Sequence, residues 1–469
     1  MKDELVWRFV ETVGEKNALL PSQDLTHYTH ENRDMFVGKT PAVLKPGSTE
    51  EVSRILSLAS ETGTAVVPQG GHTGHVGGAV PDETGKQIVV SLERMNRIRE
   101  IDLSGNALVC EAGCILEAIQ KVADDNDRLF PLALGSQGSC QIGGNISTNA
   151  GGTAVLSYGN TRQLVLGLEV VLPSGEIWDG LRRLKKDNTG YDLKDLFIGA
   201  EGTLGIITAA VLKLFPCPKG KSVALCGLET PQHALELFER ANHVAGQSLT
   251  AFELMARNPV EFTVRNFPAV KLPLQEIYPW QVLIEVSSNR SEEDASSVLQ
   301  PVLEEALGAG VIIDASIASS IAQQKGFWQL RETMPVAQKN EGGSMKHDVS
   351  VPIHKVPEFL SRADHIIKDE MPHARICAFG HMGDGNMHYN ISQPVDADAG
   401  EFLSRQASIN DMIHDLVIEM EGSVAAEHGV GRLKRKLLLR AKSEIELQMF
   451  RSIKEAFDPN NLMNPGKLI

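Results

Sequence analysis

Three glycine-dense stretches, each beside an apolar strand pattern, constrain the fold of this chain more than any other feature. They are QGGHTGHVGGA at 69–79, PLALGSQGSCQIGGNISTNAGG at 131–152 and IGAEGTLGIIT at 198–208. Glycine has no side chain to block approach, so clustered glycines let several backbone amides face one ligand. A single stretch of this kind is better explained as a surface loop, but three together predict a binding site.

The residues around these glycines narrow the choice of ligand. The first stretch has neither the GxGxxG spacing of a Rossmann dinucleotide site nor the GxxxxGK[ST] motif of a P-loop. Clustered amides without a lysine suit a pyrophosphate, which needs oriented N–H donors more than a point charge. The sequence therefore predicts a pyrophosphate site outside those two folds.

The order of strand and helix patterns separates two regions. Before residue 215, apolar strands alternate with the Gly-rich loops and with a helix that starts at the capping sequence Ser48–Glu51 and stops at Gly63. The sequence FPCPKG at 215–220 predicts a linker. Beyond it, the order of elements indicates a split βαβ arrangement, an antiparallel sheet with helices on one face. An α+β chain with more than one domain is expected.

The overall charge limits the class of partner. Lys and Arg total 45 against 60 Asp and Glu, which gives a net charge of −15. Such a field repels nucleic acid and anionic membrane surfaces, so neither is expected as a partner. An anionic small ligand would need a local positive site. No segment reaches the roughly 18 apolar residues of a membrane span.

The cysteines and the N-terminus indicate a compartment. Six cysteines without a CxxC spacing argue against structural zinc, iron-sulfur clusters and a disulfide framework. The first stretch of the chain, MKDELVWRFVETVGEKNALL, carries acidic residues and lacks the apolar run of a signal peptide. We expect a cytoplasmic protein.

The densest set of metal-binding residue types is HMGDGNMHYN at 381–390. Asp-Gly is a strong hairpin signal, so His381 and His388 flank the turn, and strand alternation puts His388 and Asn390 on one side. Two imidazoles and a carboxylate, for which Glu427 is our choice, make an open metal site. The alternative is a Gly-rich hairpin with two incidental histidines and an unrelated Glu-His pair.

Three further side chains suit an anionic substrate. His428 carries an imidazole, which can accept a proton near neutral pH, so it can act as a general base. Arg331 and Lys346 lie between linker and hairpin, and each can hold a carboxylate, Arg by a bidentate contact and Lys as a point charge. Either could equally be a solvated surface charge.

These segments, together with EHGVGRLK and the terminal FDPNNLMNPGKLI, resemble the FAD-dependent D-2-hydroxy acid dehydrogenases of the vanillyl-alcohol oxidase superfamily. The likeness is strongest to the D-2-hydroxyglutarate dehydrogenases, with D-lactate dehydrogenase and the glycolate oxidase flavin subunit as relatives. It implies an FAD-binding domain of the para-cresol methylhydroxylase type over 1–215, a substrate-binding cap domain with an antiparallel sheet over 216–422, and a helical C-terminal segment over 423–469 that returns to the FAD domain.

The same resemblance implies roles for individual residues. His381, His388 and Glu427 resemble metal ligands, His428 a catalytic base, and Arg331, Lys346 and Asn390 substrate ligands. The residues implied to bind FAD are Gly70, Gly71, His72, Thr73, Gly74, Gly78, Gly135, Ser136, Gly138, Ile142, Gly143, Asn149, Gly151, Glu201, Gly202, Gly205, Ile207 and Asn464.

Two positions depart from the family pattern. The family usually has Asn where this chain has His72, so a histidyl-flavin bond is conceivable, although a hydrogen-bonded loop histidine is the better interpretation. The D-2-hydroxyglutarate enzymes can carry a threonine where this chain has Pro335, which lacks a side-chain donor for a distal carboxylate. D-2-Hydroxyglutarate, D-malate and D-lactate therefore all stay open as substrates.

The predicted reaction is metal-assisted, FAD-dependent oxidation of a D-2-hydroxy acid to the 2-oxo acid. Zinc is the first choice of metal, with manganese, iron or cobalt as alternatives. The chain has no iron-sulfur motif, so the expected electron acceptor is a separate electron-transfer flavoprotein or a quinone, and a homodimer is conceivable. The competing hypotheses are a glycolate or other 2-hydroxy acid oxidase flavin subunit, a non-catalytic flavin-binding subunit and a metal-dependent hydrolase.

Overall fold

The computed structural model describes residues 2–31 and 33–469, and within them the chain divides into two compact units. The first unit contains the residues up to Gly152, Gly159–Cys217 and Glu427–Ile469. The second contains Thr153–Tyr158 and Pro218–Ala426. Both mix helices with strands, which confirms the predicted α+β class.

The strands are β1 Ala18–Leu19, β2 Val43–Leu44, β3 Val66–Gln69, β4 Ile88–Ser91, β5 Ile98–Asp102, β6 Ala107–Glu111, β7 Arg128–Leu129, β8 Val165–Val171, β9 Ile177–Gly180, β10 Ile206–Lys213, β11 Phe215–Pro216, β12 Gly220–Leu228, β13 Leu249–Ala256, β14 Trp280–Ser288, β15 Asp314–Ile317, β16 Ser344–Met345, β17 Asp348–Ser350, β18 Arg375–His381 and β19 Asn386–Ser392.

The helices are α1 Asp3–Val13, α2 Thr26–Thr29, α3 Thr49–Thr62, α4 Leu116–Asp124, α5 Ile142–Ser147, α6 Val155–Tyr158, α7 Thr161–Leu164, α8 Lys194–Phe197, α9 Pro231–Ala245, α10 Arg257–Asn266, α11 Glu292–Gly308, α12 Ile321–Lys339, α13 Val356–Glu370, α14 Ala399–Ser404, α15 Gln406–Glu419, α16 Arg435–Ala441 and α17 Glu444–Phe457. Among the described residues, none of these helices has the length and apolar character needed to cross a bilayer.

A four-stranded sheet in the first unit leads into the first Gly-rich loop. Its strand order is β1-β2-β4-β3, with β2, β4 and β3 parallel. Ser48 caps α3 by accepting from the amide of Glu51, and Gly63 ends the helix at φ 65°. Both ends of α3 were predicted, but the Glu51 carboxylate accepts from the amide of Gly47 rather than from that of Ser48.

A second sheet of the first unit carries the other two Gly-rich stretches. Its order is β5-β6-β10-β8-β9, and all of its pairs are antiparallel. The second stretch contains α5, and the third runs into β10. The C-terminal tail joins the parallel sheet, because Val66 forms a bridge with Met463 beside β3.

The second unit is built on one antiparallel sheet with the order β15-β12-β14-β13-β18-β19-β16, and β17 also pairs with β19. The first four strands with α9 and α11 form the predicted split βαβ arrangement. The prediction of helices on one face only was wrong. Met255 of β13 packs with Leu330 and Met334 of α12, whereas Phe252 of the same strand contacts Phe238 of α9, so both faces are covered.

Two segments differ from their predicted assignment. The region between Ala256 and Trp280 was expected to be a loop, but its first part forms α10, which packs with α12. Residues 153–158 were expected in the first domain, but they lie in the second unit. There the Ser157 hydroxyl donates to the Gln247 carbonyl, and the short helix α6 packs on β13, contacts that a sequence pattern of four residues does not reveal.

Candidate functional site

The first unit contains an open cleft, formed where β3 runs into the first Gly-rich loop. All three glycine-dense stretches contribute to its wall, as predicted. The predicted cofactor residues that line it are Gly70, Gly71, His72, Thr73, Gly74, Gly78, Gly143, Glu201, Gly202, Gly205 and Ile207, together with the predicted base His428. The predicted residues outside its lining are Gly135, Ser136, Gly138, Ile142, Asn149, Gly151 and Asn464.

Two kinds of glycine shape this cleft. An added Cβ at Gly71 would lie 2.2 Å from the Ser139 carbonyl oxygen, so this glycine allows the first and second loops to approach closely. At Gly74 and Gly144, an added Cβ would meet nothing within 4 Å. These two glycines therefore leave open space in the cleft, as expected for a cradle that admits a bulky ligand.

The cleft also contains polar atoms that lack a partner among the described residues. Gln141 Oε1, Asn145 Oδ1 and Glu31 Oε1 are buried without a hydrogen bond, and all three residues line the cleft. A buried acceptor without a donor is destabilising, and such atoms are common where a ligand supplies the missing group. The wall thus fits a ligand that carries hydrogen-bond donors as well as a phosphate. In FAD, the hydroxyls and the amide provide such donors.

His72 is held by hydrogen bonds at both ring nitrogens. Its Nε2 donates to the His30 carbonyl over 2.7 Å, and its Nδ1 accepts from Gln69 Nε2 over 3.1 Å. Burial lowers the pKa of His72, which agrees with a neutral ring. This is the hydrogen-bonded loop histidine that the sequence favoured over a covalent flavin link.

Glu201 and Asn464 connect the predicted cofactor residues to the C-terminal segment. The Glu201 carboxylate accepts from the amides of Val430 and Gly431, each over 2.7 Å. Asn464 Nδ2 donates to the carbonyls of Gly78 and Glu201. Burial raises the pKa of Glu201 despite these bonds. Both side chains therefore hold backbone in place, a structural task that the resemblance did not imply.

The hairpin of the second unit brings the predicted metal ligands together. β18 and β19 pair antiparallel on either side of a 3₁₀ turn over Met382–Asp384, as Asp-Gly predicts. The rings of His381 and His388 lie 5.8 Å apart between centroids. One ligand atom from each of His381, His388 and Glu427 lies within 4.8 Å of the others. Donor types and spacing fit a divalent cation with positions left for other ligands.

Chain continuity explains how Glu427 reaches its position. The Ser350 amide donates to the Ser423 carbonyl, and the Ser423 amide donates back, which pairs this segment with β17. The Ala426 amide then donates to the Asp348 carbonyl over 3.4 Å. Because Glu427 is the next residue, the contacts of β17 fix the start of the EHGVG sequence.

A residue that the sequence analysis missed holds His381. Glu253 of β13 lies directly across the strand pair from His381, and its Oε1 accepts from His381 Nδ1 over 2.6 Å. Nδ1 is thus the ring nitrogen that the carboxylate binds, as in histidine ligands oriented by a second partner. The lone carboxylate in the apolar strand TAFELMA was a usable signal, because a buried Glu needs a charged or hydrogen-bonding partner.

Arg331 contacts the same carboxylate. Its Nε donates to Glu253 Oε2 over 2.8 Å, and its guanidinium lies 4.9 Å from the centre of the Phe379 ring. Burial alone would raise the pKa of Glu253, but its interactions with His381 and Arg331 hold it below its ordinary value. The terminal nitrogens of Arg331 donate to none of the described residues.

The other two predicted substrate residues lie on neighbouring strands. Asn390 is buried, and its amide accepts from the His347 backbone and donates to Gln338 Oε1. Lys346 is half-buried between β16 and β17. The next residue in the chain is His347, whose backbone amide donates to Asn390. Asn390 therefore orients the strand that carries Lys346, whatever further contact it makes. Pro335 lies inside α12, one helical turn after Arg331.

Two family models match the chain. The model described as an FAD binding domain matches residues 40–180. The model described as the C-terminal domain of FAD linked oxidases matches residues 217–468, which is more than half of the chain.

Curated relatives match along nearly the whole length. A mitochondrial D-2-hydroxyglutarate dehydrogenase from Danio rerio is 37% identical over 463 residues, covering 96% of this chain and 84% of its own. A D-2-hydroxyglutarate dehydrogenase from Xanthomonas citri is 35% identical over 468 residues, covering 100% of this chain and 97% of its own. This extent of similarity places both units in one family.

Solved structures support the same fold. A structure of p-cresol methylhydroxylase with substrate bound superimposes with a TM-score of 0.76 at 16% identity, covering 99% of this chain and 96% of its own. At that identity the likeness concerns the fold alone, and it confirms the para-cresol methylhydroxylase type predicted from the sequence.

Proposed function

This chain belongs to the FAD-linked oxidase family, and from that premise we propose that it oxidises a D-2-hydroxy acid to the 2-oxo acid. Relatives at 35 to 38% identity are named D-2-hydroxyglutarate dehydrogenases. D-2-Hydroxyglutarate is therefore the first candidate substrate, followed by D-malate and D-lactate.

The FAD site is the cleft of the first unit. The open space at Gly74 and Gly144 and the buried acceptors Gln141 Oε1 and Asn145 Oδ1 support this assignment. Amides of the first Gly-rich loop would bind the pyrophosphate, because oriented N–H groups stabilise phosphate charge without a lysine.

The single observation that carries the proposal is the convergence of His381, His388 and Glu427 within 4.8 Å. FAD binding alone would suit many oxidations, whereas a cation held by three ligands suits a substrate that chelates through a hydroxyl and a carboxylate. When bound, FAD supplies a hydride acceptor and the cation supplies a Lewis acid for the C2 hydroxyl. Zinc is the first candidate, with manganese, iron or cobalt as alternatives.

The chain's own side chains bind the substrate and move its proton. The terminal nitrogens of Arg331 suit a bidentate contact with a carboxylate, and Lys346 adds a second positive charge. These charges supply the local attraction that a net charge of −15 otherwise opposes. His428 follows Glu427 directly in the chain and accepts the hydroxyl proton as a general base.

Anaerobic reduction of the purified holoprotein tests the proposal. The flavin absorption band should bleach with D-2-hydroxyglutarate, D-malate or D-lactate and persist with the L-enantiomers. Chelator treatment should stop bleaching, and re-added zinc or cobalt should restore it. Replacement of His388 by Ala should keep the yellow FAD-bound protein but abolish bleaching. His365→Ala is the matched control, because that side chain is 79% exposed.

Two results would favour a competing function. A colourless protein whose metal site hydrolyses esters would indicate a metal-dependent hydrolase. A yellow protein that no 2-hydroxy acid bleaches, glycolate included, would indicate a non-catalytic flavin subunit. Full activity of the His388→Ala variant would remove the metal from the proposal. Electron-transfer flavoprotein and a quinone are the proposed acceptors, and each can be supplied in turn to the reduced protein.

A further inference from the structure

We infer that Glu253 is a positioning residue that fixes the metal ligand His381, and that Arg331, which binds the second oxygen of the same carboxylate, orients Glu253 for this task. The inference rests on the proposed metal site and goes beyond it, because Glu253 lies outside the ligand set. It assigns Arg331 a second role besides binding the substrate carboxylate.

The geometry gives each carboxylate oxygen one partner. Oε1 of Glu253 accepts from His381 Nδ1 over 2.6 Å, and Oε2 accepts from Arg331 Nε over 2.8 Å. The residues come from β13, β18 and α12 of the same unit. Glu253 and His381 are cross-strand partners, so the sheet itself fixes their separation.

The hydrogen bond determines which nitrogen of His381 can bind a metal. A carboxylate only accepts, so Nδ1 carries the proton and Nε2 carries the lone pair. A ligating histidine whose second nitrogen donates to a carboxylate is fixed in tautomer and ring orientation, and becomes more basic. Without Glu253, the His381 ring could rotate and present either nitrogen.

Charge balance explains the contribution of Arg331. Glu253 and Arg331 are 1% and 7% exposed at their side chains, so neither charge is stabilised by water. A buried carboxylate with only a neutral imidazole as partner would be unstable. Arg331 supplies the balancing charge, and its bond to Oε2 orients Oε1 toward His381 Nδ1.

A purely structural ion pair makes a different prediction. If the pair only fastened α12 to β13, its loss would change stability and leave metal affinity unchanged. Glu285 provides the matched control for that case. It is also a buried glutamate of the same sheet, and it accepts from Trp328 of α12 over 2.8 Å and from Lys221 over 2.9 Å.

Zinc affinity of the FAD-loaded protein, measured by competition with a chromophoric chelator, tests the inference without an activity assay. Glu253→Gln should weaken zinc binding by about 10- to 100-fold, the usual effect of losing such a partner. Glu285→Gln should bind zinc within about twofold of the unaltered protein. Cobalt-loaded Glu253→Gln should show an altered visible spectrum, because the ligand ring is displaced.

The double variant tests whether Arg331 acts through Glu253. Arg331→Gln should also weaken zinc binding, although it removes no ligand. The combined variant should lose less affinity than the sum of the single losses, because the two side chains act as one unit. Additive losses, or unchanged zinc affinity in Glu253→Gln, would overturn the inference. Absence of zinc binding in the unaltered protein would overturn the proposed metal function as well.

Discussion

Glu201 accepts a hydrogen bond from the amide of Gly431 over 2.7 Å, although 230 residues separate them in the sequence. Gly431 lies in the EHGVG sequence, three residues after His428, and Glu201 lies in the third Gly-rich stretch, which spans 198–208. The bond joins a backbone amide to the Glu201 carboxylate, and so ties the segment that carries the predicted base His428 to the cleft wall. Small changes at this turn should therefore affect cofactor and base together.

Gly431→Ala should impair FAD retention. Gly431 has φ 51°, and an added Cβ would lie 2.3 Å from the Val76 carbonyl oxygen, so the backbone must move. Val76 lines the cleft, so that movement reaches the cofactor wall. Size-exclusion chromatography followed by the ratio of flavin to protein absorbance measures the loss.

Gly466→Ala is the control for backbone strain alone. Gly466 also has a positive φ, 79°, but an added Cβ there would meet nothing within 4 Å. Gly466→Ala should lower the free energy of unfolding by about 1 kcal/mol and leave the FAD content unchanged. Equal FAD retention in the two variants would contradict the proposed importance of the Gly431 turn.

The elements that were predicted from sequence are those whose signal is local. The cap at Ser48, the stop at Gly63 and the Asp-Gly hairpin depend on a few neighbouring residues, and each appears where expected. The three Gly-rich loops were also predicted to share one site, because clustered glycines let several backbone amides face one ligand.

The site features that escaped prediction depend on long-range contacts. Glu253 meets Arg331 across 78 residues and His381 across 128, and no local pattern encodes either distance. Asn464 was expected to touch the cofactor, and its Nδ2 also donates to two carbonyls, which the sequence did not predict. Such roles depend on which strands pair in the sheet. A single sequence does not determine that pairing.

FAD should be bound without a covalent link. Both ring nitrogens of His72 already have hydrogen-bond partners, so neither is placed to form a covalent bond to the flavin. Acid precipitation of the yellow holoprotein should release all of the flavin into the supernatant, where its absorbance is measured. Flavin that stays with the precipitate, and is lost from it in His72→Asn, would contradict this prediction.

Glu341 should make stability depend on acid pH. Burial alone would raise the pKa of its carboxyl, but hydrogen bonds from Arg265, Asn266 and Arg375 lower it to about 2. A carboxyl whose pKa falls on folding stabilises the protein above its ordinary pKa, and this stabilisation disappears as pH falls toward the lowered value.

Glu341→Gln should therefore lower the free energy of unfolding by about 2 to 3 kcal/mol near neutral pH, and the difference should shrink below about pH 4.5. Urea unfolding at several pH values measures it. Glu421→Gln is the control, because its side chain is 79% exposed and water screens its ion pair with Lys355, so its loss should change stability little at any pH. A difference that does not change with pH would contradict the explanation.

Pro335→Thr should shift selectivity toward a dicarboxylate substrate. Pro335 lies one turn after Arg331 in α12 and offers no side-chain donor. A threonine hydroxyl there could donate to the distal carboxylate of D-2-hydroxyglutarate, and a hydrogen bond to a charged group contributes about 1.5 to 3 kcal/mol. The ratio of kcat/KM for D-2-hydroxyglutarate to that for D-lactate should rise about 10-fold or more. Pro335→Ala restores the backbone N–H without the hydroxyl, so an equal rise in that variant would attribute the effect to the helix backbone instead.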